Sequence, residues 1–162
     1  MTLLLMRIDD RLIHGQVGAM WTRRLGANRI VIASDAVVKD PFLSKVMKMT
    51  APLGVKVDIL SREDTLKAMA SNQYDKDKLF LLCKSPEEVL SLLEGGLQVD
   101  KVNIGGMGSK PGTVSLYKNI SIMPEQAETF RKILERGVRV EIQILPDSEI
   151  VDISTLPVIA GK

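Results

Sequence analysis

Apolar positions along this chain follow two rhythms that take turns from one end to the other. Short, nearly continuous apolar runs come first in each unit: TLLLMRI (2–8), RIVIAS (29–34), VKVDIL (55–60), KLFLLC (78–83), KVNIG (101–105), NISIM (119–123) and RVEIQIL (139–145). Their length and their leucine and β-branched content read as strands, and the near absence of polar alternation suits strands covered on both faces. Segments with apolar residues every three or four positions lie between them. The alternation predicts an α/β fold: an open, mostly parallel sheet of about six or seven strands with helices on both faces.

Three of the helices carry explicit punctuation. Ser61, followed by Glu63 and Asp64, offers an N-cap with an acidic first turn. Ser85-Pro86-Glu87-Glu88 reads as a fuller capping box with proline at the first helical position, and that helix stops at Gly95-Gly96. PEQAETFRKILERG opens on Pro124, lines up Ala127, Phe130, Ile133 and Leu134, and closes on Gly137. Two further helices, at about 16–25 and 41–51, rest on periodicity alone. The longest stretch without either rhythm is GGMGSKPGTVSLYKN, residues 105–119, which is expected to be a functional loop. No repeat, low-complexity run or linker divides the chain, so residues 1–162 are expected to form a single domain.

Composition narrows what such a fold can be used for. Lysine and arginine number 22 against 20 acidic residues, a formal charge of +2 spread along the chain. With aromatics at only 4%, neither a basic stripe nor a stacking platform is available, and a nucleic-acid partner is not expected. Cys83 and His14 are each the only residue of their type, which rules out an internal disulfide and leaves no cluster with zinc-ligand spacing. Neither metal nor cofactor is expected. The opening MTLLLMRIDD has no basic region ahead of its apolar run, and Arg7 ends that run far short of the ~20 residues of a membrane span, so a soluble, cytoplasmic protein is expected.

In an open parallel sheet, ligands bind beyond the carboxyl ends of the strands. The segments leaving those ends here are DDRLIHG, SDAVVKDPF, SREDT, KSPEE and GGMGSKPG, and His14 sits on the first. A lone histidine is more often a packed ring than a reactive one. Its context here argues for chemistry: Gly15 and a helix start follow it, where backbone N–H groups favour an anion. Arg7 and Arg11 can supply charge-assisted hydrogen bonds to phosphate-like oxygens, and Asp9 and Asp10 can orient one ring nitrogen and free the other to attack. That combination suits phosphoryl transfer through a phosphohistidine. Taken singly, the two arginines also read as surface ion pairs with Asp9 and Asp10. Histidine phosphatases use a similar position but pair it with a second histidine, which is absent. The run GGMGSKPGT fails as a nucleotide loop, since Pro111 stands where a P-loop needs Ser or Thr after Lys110 and where a dinucleotide fingerprint needs its third glycine. It reads instead as a flexible loop whose glycines supply positive φ. Methionines 20, 47, 49, 69, 107 and 123 and Trp21 read as packing residues.

RIDDRLIHGQV (7–17), followed by Trp21, IVIASDAVVKDPF, APLGVKVDIL, VNIGGM, the lysine and glycine of SKPGT and the closing VEIQILPDS, resembles the enzyme IIB component of the bacterial phosphotransferase system (PTS), mannose/fructose/sorbose family. The likeness covers nearly the whole chain and departs from the family chiefly in GMGSKPGT, where a more charged loop without the proline is usual. The resemblance implies that His14 carries a phosphoryl group received from enzyme IIA and delivered to a sugar held by the membrane components IIC and IID, with Arg11 stabilising the phosphoryl charge. It implies membrane association through those partners only. A small-ligand or nucleotide-binding α/β protein without covalent chemistry is the competing reading. Sugar identity, ring nitrogen and a homo-oligomer stay open.

Overall fold

The computed structural model describes residues 1–161. Its strands are β1 (Thr2–Asp9), β2 (Arg29–Ala33), β3 (Lys56–Leu60), β4 (Lys78–Cys83), β5 (Lys101–Gly106), β6 (Val114–Tyr117), β7 (Ile120–Ile122), β8 (Arg139–Ile142) and β9 (Val151–Asp152). The helices are α1 (Gly15–Leu25), α2 (Asp35–Val38), α3 (Pro41–Met49), α4 (Arg62–Ala70), α5 (Pro86–Glu94), α6 (Pro124–Glu135) and α7 (Pro157–Ala160). Seven strands form one sheet in the order β3-β2-β4-β1-β5-β8-β9. All its pairings are parallel except that of β8 with β9. The sheet is covered on both faces. Ile30, Ile32, Phe80 and Leu82 pack against Trp21, Val37 and Met47 from α1–α3. The alternate residues Val31, Leu79, Leu81, Val102 and Ile104 pack against Ala68, Val89, Leu92, Phe130 and Ile159 from α4–α7.

The expected punctuation is largely realised. Ser61 Oγ accepts from Asp64 N at 3.0 Å and Ser85 Oγ from Glu88 N at 3.3 Å. The capping box at Ser85 is displaced by one residue, because the Glu88 carboxylate accepts from Lys84 N at 2.7 Å instead of from the Ser85 amide. Gly137, just past α6, has φ +81°, the left-handed conformation expected of a helix stop.

Four departures have physical causes. NISIM contributes only Ile120–Ile122, which pair antiparallel with Val114–Tyr117 in a separate two-stranded ribbon, so part of the expected loop 105–119 is strand. The ribbon is fastened by its apolar side, with Leu116, Ile120 and Ile122 in the core, and by Ser121 N donating to Met107 O. RVEIQIL stops as a strand at Ile142, because the next two carbonyls accept from Arg7, Asn103 and Trp21 instead of extending a ladder. Gly105 and Gly106 serve close approach, and of the glycines in this run only Gly112 has positive φ. Of the six methionines read as packing residues, Met47 and Met107 are core, whereas Met49 is exposed at the end of α3, on its solvent side.

The chain leaves β1 toward β2 and leaves β5 toward β8, in opposite directions across the sheet. The crevice this reversal opens lies at the carboxyl ends of β1 and β5, where Asp9 pairs with Gly106.

Candidate active site

Two side chains on one strand face, Arg7 and Asp9, lie beneath that crevice. Residues 5, 7 and 9 of β1 point toward α1, so Leu5 joins the apolar cluster there while Arg7 and Asp9 are drawn below the surface, each 1% exposed. Burying a guanidinium is costly unless its donors are used. Those of Arg7 go to Asn103 Oδ1 at 2.5 Å, Gln143 O at 2.9 Å and Ile144 O at 2.9 Å. Its plane lies over the Trp21 ring, 4.8 Å from the centroid, and Trp21 Nε1 donates to Ile144 O as well. Burial lowers the Arg7 pKa to about 10, with Asp9 acting in the opposite direction, so the group stays cationic at neutral pH.

Glycine makes this arrangement fit. A Cβ at Gly105 would land inside the Arg7 guanidinium, and one at Gly106 would come within 2.6 Å of Asp9 Oδ1. The Gly105-Gly106 pair at the end of β5 is therefore a cradle for the two charged residues of β1.

The Asp9 carboxylate links Arg7 to the loop above. Arg7 Nη2 stands 3.7 Å from Oδ2, Arg11 N donates to Oδ1 at 3.0 Å, and His14 Nε2 lies 3.0 Å from Oδ2. A carboxylate accepts only, so this hydrogen bond keeps the ring proton on Nε2 and leaves Nδ1 with its lone pair. The loop bends through Leu12 at φ +59°, which sends Leu12 and Ile13 into the core and returns His14 to the surface with its side chain 20% exposed. His14 is the residue ahead of α1, in extended conformation, and Gly15 follows at φ +50° with open space around it. The first turn of α1 carries no acidic residue, so its free N–H groups face no resident anion.

The sequence-predicted residues thus divide. His14, Asp9 and Gly15 meet at the exposed end of β1, and Arg11 joins them through its backbone N–H while also lining the neighbouring cleft. Arg7 lies beneath, its donors committed to Asn103, Gln143 and Ile144, and reaches the ring through Asp9. Asp10 turns away from the histidine and accepts from Gly108 N at 2.8 Å, tying down the glycine loop. The surface ion-pair reading of the arginines does not hold, since Arg7 is buried and Arg11 is exposed with no carboxylate partner among the described residues. Asn103 escaped the sequence reading, although a polar residue between Val102 and Ile104 in a buried strand is a signal of a partnered site. Cys83 is fully buried at the end of β4, and burial pushes its thiol well up, which leaves it unreactive. Among the described residues no group of three or more His, Cys, Asp or Glu side chains is placed to hold a metal, and no helix is long and apolar enough to cross a membrane.

Comparison with known proteins supplies the family. The family model of the PTS system sorbose subfamily IIB component matches residues 3–161. This chain belongs to that family. The chain is 36% identical over 153 residues to the sorbose-specific EIIB component of Lacticaseibacillus casei, covering 93% of each chain. It is 33% identical over 143 residues to the mannose-specific EIIAB component of Escherichia coli (strain K12), covering 88% of this chain and 44% of that longer one. The IIBSor domain of the sorbose permease from Klebsiella pneumoniae has the same fold, with a TM-score of 0.90 at 35% identity over 94% of both chains. The N-acetylgalactosamine-specific IIB component 1 from Escherichia coli aligns with a TM-score of 0.84 at 34% identity, over 92% of this chain and 97% of that one. As a PTS IIB component, the protein acts in sugar phosphotransfer.

Proposed function

We propose that His14 is the phosphoryl carrier of this IIB component, taking the group from a phosphohistidine on enzyme IIA and passing it to a sugar held by the membrane components IIC and IID. The observation that carries the reading is the Asp9–His14 Nε2 hydrogen bond, which leaves Nδ1 as the nucleophile. Nδ1 attacks the donor's phosphorus; the new P–Nδ1 bond forms as the donor's P–N bond breaks, and no proton is transferred. The ring gains positive charge in this step, and Asp9 faces it. The phosphoryl oxygens are met by the Arg11 guanidinium and by the N–H groups at Gly15 and the start of α1. Arg7 acts from below, fixing Asp9, while Asp10 fixes the glycine loop. In delivery a sugar hydroxyl oxygen bonds to phosphorus, the P–Nδ1 bond breaks, and the hydroxyl proton passes to solvent. The protein works in the cytoplasm and meets the membrane through its partners.

Incubation with phosphorylated enzyme IIA, read by intact mass, tests the reading. The wild type is expected to gain the mass of one phosphoryl group, stable to base and lost in acid, and His14→Ala to gain none while remaining folded. Phosphorylation of His14→Ala to the wild-type level, or prompt release of inorganic phosphate by the wild type alone, would contradict it.

A further inference from the structure

Beside Arg11 the molecule opens a cleft of about 780 Å³, bounded by the end of β4, the loop after β5, the β6–β7 turn and the start of α6. That volume is within the ordinary range for a small-molecule site. Three cations line it, Arg11, Lys84 and Lys110, and none has a carboxylate partner among the described residues. Two carboxylates also line it, and each has one oxygen engaged by backbone: Asp10 Oδ2 by Gly108 N at 2.8 Å and Glu88 Oε1 by Lys84 N at 2.7 Å. The second Glu88 oxygen and the Asn119 side-chain amide are unengaged among the described residues.

Unpaired cations call for an anion, and free carboxylate and amide groups alongside them call for hydroxyls. The cleft is too large for phosphate alone, and it has no aromatic wall for a nucleobase. We propose that it binds a phosphorylated sugar, with Lys84 and Lys110 seating the phosphate and Glu88 and Asn119 meeting the hydroxyls. This rests on the phosphoryl-carrier reading, under which the product's phosphate leaves His14 at Arg11, on the rim of this cleft.

The unphosphorylated chain is titrated with mannose 6-phosphate, mannose and inorganic phosphate in separate arms, by calorimetry and by amide chemical-shift mapping. Saturable binding of mannose 6-phosphate is expected, tighter than that of either fragment, with shifts at residues 84–88, 106–113 and 119–126. The Lys84→Gln/Lys110→Gln variant should weaken it by about tenfold or more, since charge-assisted contacts are lost. Absence of saturable binding, shifts elsewhere on the wild type, or equal affinity for the double variant would overturn the proposal. Inorganic phosphate binding as tightly as mannose 6-phosphate would overturn the sugar assignment. The two readings fail separately: a chain phosphorylated on His14 that binds no probe refutes this site alone, and a chain that binds the probe but accepts no phosphoryl group refutes the carrier reading alone.

Discussion

In the proposed mechanism the chemistry turns on Asp9, because one buried carboxylate faces the imidazole and the Arg11 amide and stands 3.7 Å from the guanidinium below. Asp9→Asn keeps the shape but removes the charge that faces the ring, and its amide can present an N–H where Nε2 now donates. Phosphoryl acceptance should slow by about 10²-fold or more, as expected when the wrong tautomer is favoured; an unchanged single-turnover rate would count against the Nδ1 mechanism. Arg11→Ala should cost about 10²-fold or more in the same assay, with Arg11→Lys recovering only part, because the planar fork is lost. Gly105 makes a purely structural prediction. A methyl group there overlaps Arg7, so Gly105→Ala should lower unfolding stability by about 3 kcal/mol in urea titration.

At the scale of elements, the β1–α1 loop shows how local backbone serves the site. Leu12 adopts positive φ while its side chain is 4% exposed, an arrangement leucine tolerates only because burial offsets the strain. Both Leu12→Ala and Leu12→Gly lose that burial, but glycine relieves the backbone. Leu12→Gly should therefore be more stable than Leu12→Ala by about 1 kcal/mol, the reverse of the usual order; equal stabilities would show that the loop relaxes when the side chain is removed. The strands and helices with strong periodicity were legible in the sequence, as were His14 and its neighbours. Three features were not. β6 is a four-residue strand inside a glycine-rich run, and β9 has two residues, both too short for periodicity to register. The partners of Arg7 come from Asn103, Gln143 and Ile144, about a hundred residues or more away, and only the β1–β5–β8 pairing brings them together.

For the molecule as a whole, the reversal of winding at β1 and β5 puts one half-buried histidine, one arginine with no carboxylate partner among the described residues and one helix start together at a single edge, above a sheet buried on both faces. Under the proposed carrier role such a scaffold has little need to move: His14 is preoriented from beneath, and a phosphoryl group would be held while the protein passes between partners. The most direct test is a long-range ¹H–¹⁵N correlation spectrum of the phosphorylated chain, in which the single histidine gives a single imidazole spin system. Phosphorus coupling is expected at Nδ1, with Nε2 still protonated toward Asp9. Coupling at Nε2, or an imidazole left unmodified after exposure to the phosphorylated donor, would contradict the account.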